Sequence, residues 1–441
     1  MKVGIIGGGV AGLVAGYELS KAGLSVTILE REPRMGGLAG SFAIGPGQEI
    51  EKYYHFICKP DQSYFAMLRE LGLTSRLRWV TTEMGLFYKG TLCTIGDPLS
   101  LMTFPYLSVG DKMRFVWATA RTKFSNSKGW KALENVQARE WLIRQYGQRA
   151  YELLYAPLLD HKFREYASGI SAAWMWARFY RLGNSRTIMQ RERVGYLEGG
   201  SQVYIDTLER VLRERGADLR TSATVERIVF EGGRAVGVQC GGERLEFDYV
   251  LSTAPIPHMG ELLRDATGPY FDNLRQLQYI GVLVMVLRLR HSLSKYFWMN
   301  ISDPEISLPG VIEYTNLNPL PQLGGDVILY LPQYLPATHS LYGMAPQDLF
   351  DLYCRNLCKI NPAFKPDWVR DYWVHRNPFA QPICGLGFSE QIPAIQTPIA
   401  GFYLTDSYQI HPNDRTISDS TRLGRKAAQL IMAERRDTVS S

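Results

Sequence analysis

The chain has 441 residues, 46% of them hydrophobic and 21% charged, with a net charge of +6. That length exceeds what one core serves, so two domains are expected. No basic run stands beside a nucleic-acid reading motif, and no stretch of about 18 uncharged apolar residues occurs; nucleic acid is excluded as a partner and a membrane span as an element.

In chain order, Lys2 to Ile6 is a short β-branched strand, followed at once by Gly7-Gly8-Gly9-Val10-Ala11-Gly12. Leu13 to Ala22 reads as a helix, and Ser25 to Leu29 as a second strand ending on Glu30. Strand, glycine turn, helix, strand and acid, with the acid about 20 residues on, make a dinucleotide fingerprint in its proper setting. Gly7 lets the chain leave the strand tightly, Gly9 lets backbone approach a pyrophosphate, and Gly12 lets helix and strand pack closely. The unpaired N–H groups and the positive dipole end at the helix start face the phosphates. Glu30 accepts from a ribose, and its charge disfavours a 2′-phosphate there.

A glycine pair, Gly36-Gly37, follows after Arg31 and Arg34, with Leu38 behind it. Gly45 to Ile57 leads into a strand that carries His55 between Tyr54 and Phe56; Asp61 is placed to cap a helix over Gln62–Leu73. From Trp79 to Arg193 short strands give way to helical patterns at Val109–Lys123, Val136–Tyr146, Tyr151–Asp160 and Ser171–Tyr180. The Trp174–Tyr180 aromatics read as core more readily than as cavity. Basic and aromatic residues interleave over Asp111–Lys131, as on a solvated face or a helix resting on a membrane surface.

Tyr196 to Gly200 opens a return to the nucleotide domain, with Ser201 as cap of a helix over Gln202–Arg215. Strands then run to Tyr249–Pro255, with hairpin turns at Gly232-Gly233 and Gly241-Gly242. Residues 270–380 alternate strands with proline-rich loops and end in the aromatic and basic stretch Tyr372–Pro382. Gly401–Asp406 is a strand ending on an acid, His411 to Ser420 a loop, and Thr421–Arg435 a helix. The six cysteines form no C-x-x-C pair and have no histidine at ligand spacing, so no metal is expected. Reduced thiols, and a working strand with no leader before it, make the expected location cytoplasmic.

Taken together these blocks resemble the FAD-binding superfamily of amine oxidases, protoporphyrinogen oxidases, phytoene desaturases and, more distantly, UDP-galactopyranose mutases. Two positions depart from the common pattern: Leu38, where Arg or Thr often stands, and Ser418-Asp419-Ser420, where glycines are usual. The resemblance implies an α/β fold, with a Rossmann-like FAD-binding domain of glutathione-reductase type and an interleaved α+β substrate domain. Residues 1–78, 195–268 and 385–441 would form the first, and 79–194 and 269–384 the second. It implies FAD held by Gly7, Gly9, Val10, Ala11, Gly12, Glu30, Arg31, Gly36, Gly37, Leu38, Val225, Ala254, Asp406, Ser420 and Thr421.

His55, His411 and Arg415 are the substrate-side candidates; for His55 a place beside the flavin and a core role stand open together. The function implied is hydride transfer from a small organic molecule to flavin N5, with peripheral membrane contact as an open partner and oligomeric state unspecified. Two alternatives stand beside it: a redox-neutral sugar-nucleotide mutase, and a non-catalytic binding protein like the Rab GDP-dissociation inhibitors.

Overall fold

A computed structural model describes residues 1–186, 193–264 and 266–440. Its organising sheet is five-stranded and parallel, in the order Phe402–Leu404, Tyr249–Ser252, Lys2–Ile6, Ser25–Leu29, Asp218–Arg220. The central strand is apolar and buried from Val3 to Ile6, as a strand covered on both faces has to be. Helices Val10–Lys21, Gly200–Glu214 and Ile417–Ser440 share one core with this sheet, through Leu13, Leu208, Tyr204 and Ala427.

A second sheet has seven strands, in the order Val369–Pro382, Tyr279–Leu289, Val327–Leu335, Gly310–Glu313, Trp298–Ile301, Met84–Tyr88, Thr91–Ile95. Its neighbours are antiparallel except Trp298–Ile301 beside Met84–Tyr88. The period of two along Tyr279–Leu289 decides what each face does. Leu283, Met285 and Leu287 pack under helix Pro346–Ile360, whereas Val282, Val284 and Val286 face the opposite core. Val282 and Val284 are among the residues lining the cavity described below. A helical layer over 98–185 closes the other side around Trp141, Tyr146, Phe163 and the fully buried Trp174.

Several expected element ends and caps differ, and four of the differences have a local reason. The helix expected over Tyr151–Asp160 is a π turn, Tyr151–Tyr155, running into Ala156–Phe163, because Pro157 has no N–H for the Leu153 carbonyl. Asp61 makes no cap bond; its carboxylate accepts from Arg181 at 2.8 and 3.1 Å and from the Cys58 N–H at 2.8 Å. Ser201 is not the cap of its helix either, since left-handed Gly199 takes that place and the Ser201 hydroxyl donates to the Ala39 carbonyl at 2.5 Å. The last helix starts at Ile417 instead of Thr421, which puts Ser418-Asp419-Ser420 in its first turn.

Candidate active site

One cavity of about 710 Å³ runs from the glycine turn, past the start of the last helix, to the face of the seven-stranded sheet. At its nucleotide end Gly7, at φ +103°, donates to the Leu29 carbonyl at 2.9 Å. A Cβ on Gly12 would stand 2.0 Å from the Gly7 carbonyl oxygen, so the helix can sit on the turn only without one. Gly12 therefore supports the cradle from behind, while Gly9, Val10 and Ala11 line it. Gly9 has nothing within 4 Å of where its Cβ would be: the helix start faces open space.

Glu30 is buried, its two oxygens accepting from the Gly8 N–H at 2.6 Å and the Glu32 N–H at 2.9 Å. Gly36 donates to the Gly8 carbonyl at 2.8 Å, which lays the second glycine pair against the first turn. Arg31, Gly37 and Leu38 also line the cavity, with an Arg31 guanidinium nitrogen 3.2 Å from the His258 ring. Arg34 does not line it; it pairs with Glu49 at 2.7 Å near the surface. Val225 and Ala254 complete this end.

At the opposite end of the cradle, Thr416, Ile417, Ser418 and Ser420 bring the N-terminus of the last helix to the cavity. Thr416 Oγ1 accepts from the Asp419 N–H at 2.9 Å, capping it, and donates to the Asp419 carboxylate at 2.7 Å. Thr421 lies behind, fully buried, its hydroxyl 3.0 Å from the Tyr204 hydroxyl. Asp406 lines the cavity too. One of its oxygens accepts from Tyr279, Ser407 and the Tyr408 N–H; the other accepts only from the Ile256 N–H at 3.0 Å, leaving it room for one more donor. Burial pushes this carboxyl above its ordinary range.

At the far end Leu154, Leu158, Val282, Val284, Trp298 and Ile312 form an apolar wall, beside polar and charged lining residues such as Lys52, Asn300 and Arg376. Its carboxylates are tied down. Asp61 is held by Arg181, and Asp414 accepts from Lys162 at 3.0 Å and Arg178 at 2.9 Å. Burial opposes ionisation of Asp414, but these cations outweigh it and hold the carboxyl well below the usual range. Arg415 presents its guanidinium here, bonded only to neutral groups, Gln381 at 3.2 Å and the Tyr334 hydroxyl at 3.5 Å. Burial lowers His161 and His375, both on the wall, to about 4.

His55 lines the cavity, its Nδ1 3.6 Å from a Glu51 oxygen that also accepts the His55 backbone N–H at 3.2 Å. His411 does not. Its ring is wedged between Trp130 and Phe388, with Nε2 3.7 Å from Glu134, while Asp414, Arg415 and Thr416 of the same loop line the cavity. Sequence reasoning passed over Glu51, Lys162, Arg178 and Asp414. Only Asp414 carried a signal, as the neighbour of Arg415.

A glycine cradle, a buried acid at the end of the second strand and a second helix start converging on one cavity fit FAD. The sequence matches the family model for flavin containing amine oxidoreductase over residues 10–432. The chain belongs to that family. This amine oxidoreductase family member is 23% identical to the zeta-carotene desaturase of Synechocystis sp., over 98% of this chain and 97% of that one. It is 21% identical to the 15-cis-phytoene desaturase of Synechococcus elongatus, over 98% and 96%. An oxidoreductase from Methanosarcina mazei shares its fold with a TM-score of 0.72 at 19% identity, covering 98% of this chain and all of that one. The flavin oxidoreductase described here is thus an FAD-dependent enzyme of dehydrogenation or oxidation.

Proposed function

We propose that the enzyme dehydrogenates a lipid-soluble, polyene-type molecule. The observation that carries this is the far end of the cavity: an apolar wall, and carboxylates, Asp61 and Asp414, each already tied to a cation. An ammonium substrate would find no free carboxylate there and would meet Arg415 instead, whereas a neutral hydrocarbon has only its own surface to bury. The likeness to a 15-cis-phytoene desaturase and a zeta-carotene desaturase supports the same reading.

In this reading residues 1–78, 195–268 and 385–441 hold FAD, and 79–194 with 269–384 hold substrate. Gly7, Gly9, Val10, Ala11, Glu30, Arg31, Gly36, Gly37, Leu38, Val225 and Ala254 take the adenosine diphosphate half. Asp406, Thr416 and Ser420 take the flavin half. Bound FAD supplies the acceptor for the hydride the substrate gives up, while the accompanying proton leaves to solvent. The start of the last helix favours the negative charge that develops beside it. The valine-faced sheet excludes water and lays the substrate along the cavity, and His55, oriented by Glu51, shapes its approach. Collecting such a substrate requires contact with a membrane surface, and that contact belongs to the same reading.

The test is anaerobic titration of the FAD-loaded enzyme, following the oxidised-flavin absorbance. Bleaching by a detergent-dispersed polyene precursor, and not by a primary amine, is expected. Bleaching by the amine alone would overturn the substrate class.

A further inference from the structure

The protein carries an apolar surface that its own core does not use. Helix Val109–Lys123 begins with a capping box between Ser108 and Asp111, and its inner face is settled: Ala118 and Thr122 are buried, and Phe115 packs on the helical core. Its outer face is also apolar. Val109, Met113, Val116 and Trp117, with Phe124 just past the helix end, are 70, 62, 46, 59 and 81% exposed. At 3.6 residues per turn these five positions fall within one arc of about 100°, opposite the buried residues.

The neighbouring helix Pro98–Thr103 adds Leu99 and Met102, 74 and 52% exposed. The two helices are fastened together, since the buried Lys112 donates to the Met102 carbonyl at 2.7 Å. One continuous stretch of chain thus holds most of the large exposed hydrophobics among the described residues. Scattered single apolar residues are ordinary on a surface; a stripe of this kind marks a partner.

The charge around the stripe says which partner. Between residues 98 and 133 six basic residues stand against one acid, Asp111, which is occupied by Ser108; Lys112 and Arg114 are turned onto backbone carbonyls, and the border is made by Arg121, Lys123, Lys128 and Lys131. Arg121 and Lys123 flank the stripe and lie over its rings, 5.3 Å from the Trp117 centroid and 5.9 Å from the Phe124 centroid. Lys128 and Lys131, both exposed, follow in the chain. An apolar arc with aromatic side chains and a basic border has the chemistry of a helix lying in a bilayer interface, its border paired with anionic headgroups. A second protein copy would have to bury the same basic border against itself.

From this we infer that residues 98–131 form a docking face for an anionic phospholipid bilayer, with the stripe inserted among the acyl chains. The inference rests on the membrane contact proposed above and supplies its residues and its lipid chemistry.

The test is co-sedimentation of the FAD-loaded protein with vesicles of phosphatidylcholine alone and of phosphatidylcholine with phosphatidylglycerol. The wild-type protein pellets with the anionic vesicles and far less with the neutral ones. Trp117→Glu with Phe124→Glu lowers that partition at least about tenfold. Arg121→Gln with Lys128→Gln costs about fivefold per charge removed, toward anionic vesicles only. Met113→Gln with Val116→Gln carries the same expectation if the first pair folds poorly, which a lost flavin spectrum would reveal.

A wild-type protein left in the supernatant with both vesicles overturns the inference. So do stripe variants that pellet like wild type, or a wild-type dimer that they dissociate without any vesicle binding. Polyene-driven flavin bleaching in detergent is expected to be unchanged in all three variants. Failure of docking and failure of the proposed reaction therefore read out separately.

Discussion

Replacing Glu30 by Gln tests whether the acid at the end of the second strand is built for FAD. Each Glu30 oxygen accepts a backbone N–H, from Gly8 at 2.6 Å and from Glu32 at 2.9 Å, in a buried setting. An amide keeps one acceptor and turns the other into a donor, so one buried N–H loses its partner, at a cost of about 1–3 kcal/mol. A ribose hydroxyl bonded to a charged acceptor adds a further contribution of about 1.5–3 kcal/mol that the amide only partly replaces. Part of the first cost falls on the apo protein as well, so about 2 kcal/mol is left for the FAD affinity, roughly a 30-fold rise in Kd. The assay is titration of apo-protein with FAD, following quenching of tryptophan fluorescence. Arg34→Ala serves as the matched control, because Arg34 pairs with Glu49 away from the cavity and leaves Kd unchanged. A Glu30→Gln Kd within threefold of wild type would refute the assignment of this carboxylate to the ribose.

Gly12→Val forces a Cβ to 2.0 Å from the Gly7 carbonyl, and the expected result is loss of FAD from the purified protein, read in its visible spectrum. Asp414→Asn strands Lys162 and Arg178, and urea unfolding is expected to show a loss of about 1–3 kcal/mol, since removing one partner of a part-buried ion pair leaves uncompensated charge. The pH profile of wild-type stability carries an Asp414 contribution that is complete above the unfolded carboxyl value, about 3.9, and is lost as pH falls below it. His375 is held at about 4 by burial and by Lys52, below its unfolded value of about 6.5. The difference in unfolding free energy between His375→Phe and wild type is therefore expected to be flat above about pH 6.5 and to grow in favour of the variant down to about pH 4. Taking that difference separates His375 from Glu313, whose carboxyl burial pushes up to about 7 and whose contribution runs the opposite way.

The nucleotide end was legible because its chemistry is local. A glycine turn, its helix and the acid that closes the next strand lie within thirty residues, and each residue type is demanded by backbone geometry rather than by a distant partner. The same holds for the hairpins at Gly232-Gly233 and Gly241-Gly242, where all four glycines adopt positive φ. Where reading went astray, a side chain had been given a local job that a distant partner took over. Asp61 had the position of a cap and gave its carboxylate to Arg181, and Ser201 gave its hydroxyl to Ala39. Thr421 matched a motif position, yet its hydroxyl meets Tyr204 because the helix begins a turn earlier than its glycine-poor start implied.

The substrate end illustrates why the rest could not be read. His411, Asp414 and Arg415 lie within five consecutive positions of one loop, and nothing in their order says which of them face inward. The answer comes from elements elsewhere in the chain. Lys162 and Arg178, on separate helices, draw Asp414 into the cavity wall; Gln381, on the edge strand of the seven-stranded sheet, holds Arg415; Trp130 and Phe388 close on the His411 ring from the outside. With the carboxylate neutralised and the imidazole removed, the charge that this loop offers a substrate is that of Arg415 alone. That residual charge is set by long-range partners, and it is the feature on which the proposed preference for a substrate without an ammonium group rests.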